Sequence, residues 1–425
     1  MNALDDGRSS IPSTKNSAAL RRVITLPWLI LYGLGSTVGA GIYVLTGVVA
    51  GRAGMQAPLS FLIAALLALF TGLSFAELSA RFPRAGGALV YVREGIGWKW
   101  LSVLVGLLTM TAGMISAATV SLGFVGYFAE LSQLPAWVVL AGVIGGVGAL
   151  AGWGVRESIV AAGLITIVEV SGLLAILVFG ADHLSETSLH AGRLLPIGLG
   201  TSGWITVASS AVLCFYAFLG FEDIVNVAEE VRDVRRALPR AILWTLGLST
   251  VLYIAVTSVA VLIVPPAELA AAEAPLALVF ERSGGSAEIL ALIALCAMLN
   301  GSLVQIVMAS RILYSLSREG PLPAWIGWIH PRRQTPIFAT LGVTLGVGAL
   351  TAAFPLATLA SATASVALMV FVLVNLSLFL ILIREGGDRS RNEWNIPRWV
   401  PAIGGIASFA FLALELAGIV KRFVA

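Results

Sequence analysis

The residues best suited to chemistry in this chain lie inside long apolar runs, where polar groups are costly. The first set is the segment Gly33-Leu-Gly-Ser-Thr-Val-Gly-Ala-Gly41, with four glycines in nine residues. Glycine costs ~1 kcal/mol relative to alanine inside a helix, so this density favours a break in the helix. A broken helix offers free backbone N–H and C=O groups to a ligand. Glycines that let two helices pack closely are the alternative interpretation.

The second set of residues is the segment Phe218-Leu-Gly-Phe-Glu-Asp223, in which Gly220 lies beside two carboxylates. Charged side chains at membrane depth cost several kcal/mol. Broken helices at that depth are tolerated only where they are buried in protein or line a wet cavity. We therefore predict a second helix break near Gly220. Glu222 could sense protons, bind a cationic group, or pin two helices together through a hydrogen bond.

Another carboxylate within an apolar run is Glu169, in Leu164-Ile-Thr-Ile-Val-Glu-Val-Ser-Gly-Leu173. Burial disfavours the charged form of a carboxylate, so Glu169 could take up and release a proton. It could instead bind a cation. A structural hydrogen bond to Thr166 or to a neighbouring helix is the third interpretation.

Membrane-spanning helices are the elements that must position these residues. The chain has 425 residues, of which 58% are hydrophobic and 12% charged, against ~45–50% and ~25% in soluble domains. Its mean hydropathy is +0.95, and about eleven apolar runs are each long enough to cross ~30 Å of hydrocarbon as a helix. We predict an all-α polytopic membrane protein with spans at 24–50, 58–80, 100–127, 136–152, 158–180, 204–228, 240–264, 287–316, 336–353, 357–383 and 400–420.

Positive charges predict how these spans are oriented. If the polar N-terminal tail, residues 1–23, is cytoplasmic, then 21 of the 26 Lys and Arg residues fall in inside segments and 5 in outside segments. Cytoplasmic loops retain Lys and Arg, so this split supports both the span count and the orientation. We expect a multi-pass protein of the cell (plasma or inner) membrane.

The two predicted helix breaks lie in the first and sixth spans, five spans apart. A five-helix unit that is inserted twice enters the membrane with opposite topologies, so this spacing predicts an inverted repeat with a binding site between its halves. We assign residues 24–180 to the first five-helix repeat and 204–383 to the inverted second repeat. Residues 400–420 form an additional transmembrane helix.

The sequence does not support several other classes of site. The two cysteines lie within apolar runs and the three histidines lie in loops far apart, so we predict no metal site and no cofactor. A net charge of +3 without a long basic tract gives no footprint for nucleic acid. A Gly-x-x-x-x-Gly-Lys-Ser/Thr motif is missing, which excludes a primary pump within this chain. The oligomeric state stays open.

Four motifs follow one another along the chain. They are Gly35-Ser-Thr-Val-Gly-Ala-Gly-Ile-Tyr-Val-Leu-Thr-Gly47, Phe75-Ala-Glu-Leu-Ser-Ala-Arg-Phe-Pro-Arg-Ala-Gly-Gly87, Gly220-Phe-Glu-Asp-Ile-Val-Asn-Val-Ala-Glu-Glu230 and Ala309-Ser-Arg-Ile-Leu-Tyr314. Together they resemble the amino acid-polyamine-organocation (APC) superfamily of permeases, and the first two are most similar to its cationic-amino-acid-transporter-like branch. The resemblance covers residues 24–383 and implies five plus five inverted helices with broken helices 1 and 6.

The resemblance implies roles for residues at the two breaks. An amino acid zwitterion at mid-membrane needs fixed donors for its carboxylate and fixed acceptors for its ammonium. The expected donors are the N–H groups at Gly39, Ala40 and Gly41, which carry the positive end of a helix dipole. The expected acceptors are the carbonyls of Thr37, Tyr216 and Leu219, beside Gly220. Glycines in the first set would let the ligand approach the backbone.

The chain departs from the superfamily at one position of span 5. Related permeases often carry a lysine where this chain has Glu169, so lysine-based coupling cannot be carried over. We expect proton-linked transport with Glu169 as the coupling residue, donating a hydrogen bond to the Val38 carbonyl when neutral, and with Glu222 as a second coupling or gating candidate. Sodium is disfavoured because the middle of span 8 offers a single hydroxyl, that of Ser302.

These inferences predict a secondary active amino acid transporter that works by alternating access and is not an enzyme. The substrate side chain is expected to face span 3 around Thr111, Gly113, Met114, Ile115 and Ala118. Span 3 has no acidic residue between Leu101 and Ala129. A buried cation needs a carboxylate partner, so a neutral amino acid is favoured.

A transporter or exchanger of cationic amino acids or polyamines is the alternative on this fold. A non-transporting membrane sensor and an intramembrane enzyme are alternatives of another class. Expected partners are the substrate, protons and the lipid bilayer.

Overall fold

The computed structural model describes residues 24–84, 86–153, 159–187, 192, 194–319, 322–331, 333, 335–386 and 394–424. Within these residues the protein is helical, apart from one isolated bridge between Ile24 and Val231. The predicted N-terminal tail, residues 1–23, lies outside the described residues.

Fourteen α-helices lie within the described part of the chain. The first seven are α1 (Leu26–Ala53), α2 (Ala57–Arg81), α3 (Gly87–Gly95), α4 (Lys99–Ala129), α5 (Ala136–Trp153), α6 (Ile159–Thr187) and α7 (Thr201–Phe218). The others are α8 (Val234–Ile263), α9 (Pro266–Ala271), α10 (Pro275–Arg282), α11 (Ala287–Glu319), α12 (Ile337–Ala353), α13 (Leu356–Arg384) and α14 (Trp399–Val424). Three 3₁₀ helices join them, at Gly54–Gln56, Phe221–Glu230 and Ala324–Gly327.

The long helices are apolar enough to cross a membrane. Nine segments of at least 18 residues within the described ranges meet this condition by length and composition. The first of them, Leu26–Arg81, contains both α1 and α2, and α12 is a shorter apolar helix of 17 residues. The chain is therefore a polytopic α-helical membrane protein. The predicted span 336–353 overlaps α12, and every other predicted span overlaps one of the long segments.

Two helices are interrupted at glycines. In the middle of α1, Gly39 has φ −26° and ψ −134°, which is outside the helical range. Helix α7 ends at Phe218, and the chain continues through Gly220, with φ 124°, into the 3₁₀ helix Phe221–Glu230. A side chain would strain the backbone at this positive φ, whereas glycine adopts it readily. Both interruptions lie in the segments where the sequence predicts a helix break.

The two interruptions contact each other through their backbones. A Cβ atom added at Gly220 would collide with the carbonyl group of Ser36. A Cβ atom added at Gly41 would lie 2.6 Å from the Cα of Ala217. The Ser36 hydroxyl also donates a 2.9 Å hydrogen bond to Asp223. Glycine at these positions therefore allows α1 to pack directly against the break that follows α7.

Buried polar side chains connect α2 to α13 and to the segment that precedes α14. Asn375 on α13 donates a 3.0 Å hydrogen bond to Thr71 and accepts a 2.6 Å bond from Ser74, both on α2. The fully buried Glu77 accepts a 2.8 Å bond from the backbone N–H of Ile396. Because lipid offers no partner to polar groups, these pairs hold the helices in register.

Replacing Gly220 with alanine should destabilise the protein by about 1–3 kcal/mol, because the positive φ would be strained and the new Cβ would meet the Ser36 carbonyl. Thermal unfolding of the purified protein in detergent measures the effect. Gly247→Ala is the matched control, since an added Cβ at this exposed α8 position would meet no atom within 4 Å. It should leave the melting temperature unchanged or raise it. Equal melting temperatures for the two variants would contradict the described packing.

Candidate ligand-binding site between the helix breaks

A cavity of about 40 Å³ lies between the two helix breaks. Since one water needs ~10–15 Å³ of such space, the cavity holds about three water molecules. Its wall on α1 and at the end of α7 consists of Ser36, Thr37, Gly39, Gly41, Tyr216 and Leu219. Its wall on α4 and α11 consists of Ser116, Val120, Gly301, Val304 and Gln305. None of these described lining residues is charged.

The structure brings most of the predicted binding residues together at this cavity. Five of the seven line it, namely Thr37, Gly39, Gly41, Tyr216 and Leu219. Gly220 instead packs against the Ser36 carbonyl. Ala40 lies between two of the lining glycines, and its side chain is outside the described part of the structure.

Gly39 leaves the backbone open toward the cavity. An added Cβ atom at Gly39 would meet no atom within 4 Å. The second half of α1 begins after this residue, and the first N–H groups of a helix have no partner within the helix. They also carry the positive end of the helix dipole, which favours an anion. This end of the cavity therefore suits a carboxylate.

Two of the three predicted acceptor carbonyls, those of Thr37 and Tyr216, already have a hydrogen-bond partner within the protein. The Tyr253 hydroxyl lies 2.7 Å from the Thr37 carbonyl oxygen and 2.9 Å from that of Ala217. The Tyr216 carbonyl accepts a 3.1 Å hydrogen bond from the Leu219 N–H. A carbonyl oxygen has two lone pairs, so each can accept a second bond from an ammonium.

Tyr253 on α8 is the residue that the sequence analysis missed. It is fully buried between the rings of Phe61 and Phe218, whose centroids lie 5.9 and 5.0 Å away. A single hydroxyl proton is shared between carbonyls of two different broken helices, so this side chain fixes one break relative to the other. A lone tyrosine in the middle of the seventh apolar run is the only signal of this role in the sequence.

Glu169 on α6 is fully buried, and neither carboxylate oxygen hydrogen-bonds to a described residue. The expected hydrogen bonds from its side chain to Thr166 or to the Val38 carbonyl are therefore not formed. Its backbone carbonyl accepts a 2.9 Å bond from the Tyr43 hydroxyl. An ionised carboxylate without a partner is costly inside protein, so this environment accommodates the neutral form.

Glu222 makes a local hydrogen bond at the second break. One of its carboxylate oxygens accepts a 2.8 Å bond from the backbone N–H of Gly220. The side chain is half-buried and lines a larger cavity. This bond lies within the break and does not join two helices, so the three roles considered for Glu222 stay predictions.

The larger cavity has a volume of about 790 Å³ and adjoins the small one, because Val304 lines both. It runs along α4 and α11 as far as Lys99 and Arg311, near one end of the bundle. Lys99 and Arg93, which also lines this cavity, are exposed. The larger cavity therefore reaches the surface at this end, and the small cavity lies beside it.

Short helices cover the opposite end of the bundle. The Tyr127 hydroxyl on α4 donates a 2.7 Å bond to the Tyr43 carbonyl and accepts a 3.4 Å bond from the N–H of Leu276 on α10. An added Cβ at Gly126 would lie 2.6 Å from the Glu273 carbonyl oxygen, which precedes α10. The second half of α1, α4 and α10 are thus in contact on this side.

The face of α4 that lines the small cavity differs from the expected one. Ser116 and Val120, one helical turn apart, line it. Met114 lies against Gly346 of α12, and Gly113 faces the Gln305 side chain. Each residue advances ~100° around a helix, so the packing of α4 on α11 decides which residues reach the cavity.

Comparison with known proteins finds relatives along most of the chain. A family model described as amino acid permease matches residues 24–422. A branched-chain amino acid permease of Bacillus subtilis is 28% identical over 444 residues, which cover 97% of this chain and 92% of that protein. A mitochondrial cationic amino acid transporter of Arabidopsis thaliana is 32% identical over 85% of this chain but only 62% of its own length. An uncharacterised transporter of Mycobacterium bovis is 30% identical over 94% of this chain and 88% of its own.

Replacing Tyr253 with phenylalanine should lower stability by about 1–2 kcal/mol, since two carbonyls at the breaks lose their shared donor. Tyr91→Phe is the matched control because the buried Tyr91 hydroxyl has no hydrogen-bond partner among the described residues. The control should be neutral or stabilising. The measurement is thermal unfolding of both variants, and indistinguishable melting temperatures would show that the Tyr253 hydroxyl does not hold the breaks.

Proposed function

Because the chain belongs to the amino acid permease family, we propose that it is a secondary active transporter of a neutral amino acid that works by alternating access. Members of this family are transporters and not enzymes. The observation that carries the proposal is the small uncharged cavity between the two helix breaks. Backbone groups on one wall suit the two charges of an amino acid, and the other wall is left for its side chain.

The binding mode follows from the polarity of the two breaks. The substrate carboxylate binds the N–H groups at the start of the second half of α1, at Gly39, Ala40 and Gly41. The ammonium binds the free lone pairs of the Thr37, Tyr216 and Leu219 carbonyls. These backbone contacts are common to all α-amino acids, so the choice among substrates falls to the side-chain wall on α4 and α11.

The composition of that wall favours a neutral substrate. A guanidinium or ammonium buried there would need a carboxylate partner, and the described lining residues of the small cavity include none. The Bacillus subtilis relative, which this chain covers to 92%, is a branched-chain amino acid permease. A cationic amino acid or polyamine is the second candidate, because Glu222 lines the adjoining cavity and the Arabidopsis relative is a cationic amino acid transporter.

We further propose that eleven helices span the cell membrane with the N-terminus in the cytoplasm. Residues 24–180 and 204–383 form two inverted five-helix repeats, and residues 400–420 add one helix. The excess of Lys and Arg in alternate segments supports this orientation. The larger cavity then opens to the cytoplasm while α9 and α10 cover the extracellular side, which corresponds to an inward-open state.

Proton coupling through Glu169 is the proposed energy source. The buried, unpartnered side chain supports a neutral carboxyl group in the inward-open state. For external protons to drive uptake, water that enters from the cytoplasmic cavity must then let Glu169 release its proton to the inside before the transporter returns to the outward-open state. Sodium is a poorer candidate, because the Ser302 hydroxyl on α11 already lies 3.4 Å from the Ser121 hydroxyl of α4.

Uptake into proteoliposomes tests the substrate class. The purified protein should accumulate or exchange labelled alanine, valine or leucine, and excess unlabelled arginine should compete weakly because the small cavity offers no carboxylate to its side chain. Empty liposomes are the control. If arginine outcompeted the neutral amino acids by more than tenfold, the cationic alternative would replace this proposal. Conversion of the amino acid would indicate an enzyme, and binding without uptake a sensor.

The pH profile of uptake tests the coupling residue. Uptake should rise as the external pH falls, should not change when choline replaces sodium, and should lose its pH dependence in Glu169→Gln, which cannot exchange a proton. Glu222→Gln is the matched control, since its amide oxygen can still accept the Gly220 hydrogen bond. It should keep the pH profile. An unchanged profile in Glu169→Gln would make Glu169 structural, and a loss confined to Glu222→Gln would transfer the role to Glu222.

A further inference from the structure

Gly301 is a cavity-lining glycine on α11 whose missing side chain leaves open space. An added Cβ atom at Gly301 would meet no atom within 4 Å. In contrast, an added Cβ at Gly113, on the facing helix α4, would already lie 3.2 Å from the Gln305 side chain. A side chain at position 301 would therefore occupy the cavity without displacing protein atoms.

The position of Gly301 along α11 places it at the far end of the path from the surface. Moving inward from Lys99 along α4, the last residue that lines either cavity is Val120. Moving inward from Arg311 along α11, the last is Gly301. These two residues line only the small cavity, whereas Val304 also lines the larger one. Val120 and Gly301 thus mark the closed end.

The closed end offers no polar contact to a substrate side chain. Val120 is apolar, Gly301 has no side chain, and the α4 hydroxyl that lines the cavity, that of Ser116, pairs with the Tyr216 hydroxyl at 3.2 Å. A cavity that holds about three water molecules also has little spare volume. Each methyl group that is added to its wall therefore removes a large share of the space.

We propose that Gly301 sets the upper size limit of the aliphatic side chain that the protein transports. The inference rests on the proposed function as a neutral amino acid transporter and specifies its substrate class. With the charged ends of the substrate bound by α1 and α7, the side chain faces α4 and α11 and reaches toward Val120. Glycine at position 301 keeps that end open for aliphatic side chains larger than a methyl group.

Substrate selectivity in proteoliposomes tests the proposal, with glycine, alanine, valine and leucine as probes. Gly301→Ala should lower kcat/KM at least tenfold for the largest of these that the wild type transports, and less than threefold for the smallest. Gly301→Val should move the limit to a still smaller side chain. Melting temperatures should not fall, because alanine favours a helix over glycine. An equal loss for all four probes would overturn the proposal.

Two further variants separate an effect of cavity volume on selectivity from an effect of the substitution on protein stability. Gly342→Ala on α12 is the matched control, since an added Cβ there meets no atom within 4 Å and Gly342 does not line either described cavity. Its selectivity should equal that of the wild type. Val120→Ala alone should raise the size limit above that of the wild type. Combined with Gly301→Ala, it should restore transport of the largest substrate. An unchanged limit in Val120→Ala would also overturn the proposal. If the wild type transports none of the probes, the proposed function fails instead.

Discussion

The structure depends on one constraint, which is that each backbone polar group within hydrocarbon needs a partner. Breaking two helices inside the bundle creates unpaired N–H and C=O groups, and the protein pairs only some of them. The Tyr253 hydroxyl binds a carbonyl from each break, and Ser36 binds Asp223 across them. The groups that stay open face a small cavity, where an amino acid can complete the pairing.

If backbone groups bind the substrate, different helices have different roles. In the proposed binding mode, contacts from α1 and α7 recognise the carboxylate and ammonium that all α-amino acids share, so these contacts do not distinguish one substrate from another. We propose that α4 and α11 discriminate among substrates, because their part of the cavity wall is uncharged and ends at Val120 and Gly301. The proposed coupling residue lies on α6, where Glu169 is buried beside α1 without a hydrogen-bond partner for its side chain among the described residues. Binding, selectivity and coupling therefore rest on different elements.

The sequence predicts the two helix breaks but not which side chains from other helices lie around them. Glycines at 39 and 220 inside apolar runs are a local signal, and local signals are readable without tertiary structure. The role of Tyr253, the face of α4 and the unpaired state of Glu169 depend on how distant helices pack, which periodicity does not reveal. Gly41 shows within one motif what the sequence does not predict. This residue lines the cavity, but it also lets α1 pack closely against Ala217 of α7.

The position of a bound substrate tests the central claim most directly. A structure determined by electron cryomicroscopy with a transported neutral amino acid should place its carboxylate oxygens ~2.7–3.2 Å from backbone nitrogens between Gly39 and Gly41. Its ammonium should lie at similar distances from the Tyr216 or Leu219 carbonyl. Substrate density confined to the larger cavity, with the ammonium on the Glu222 carboxylate and the helix breaks unoccupied, would contradict the account.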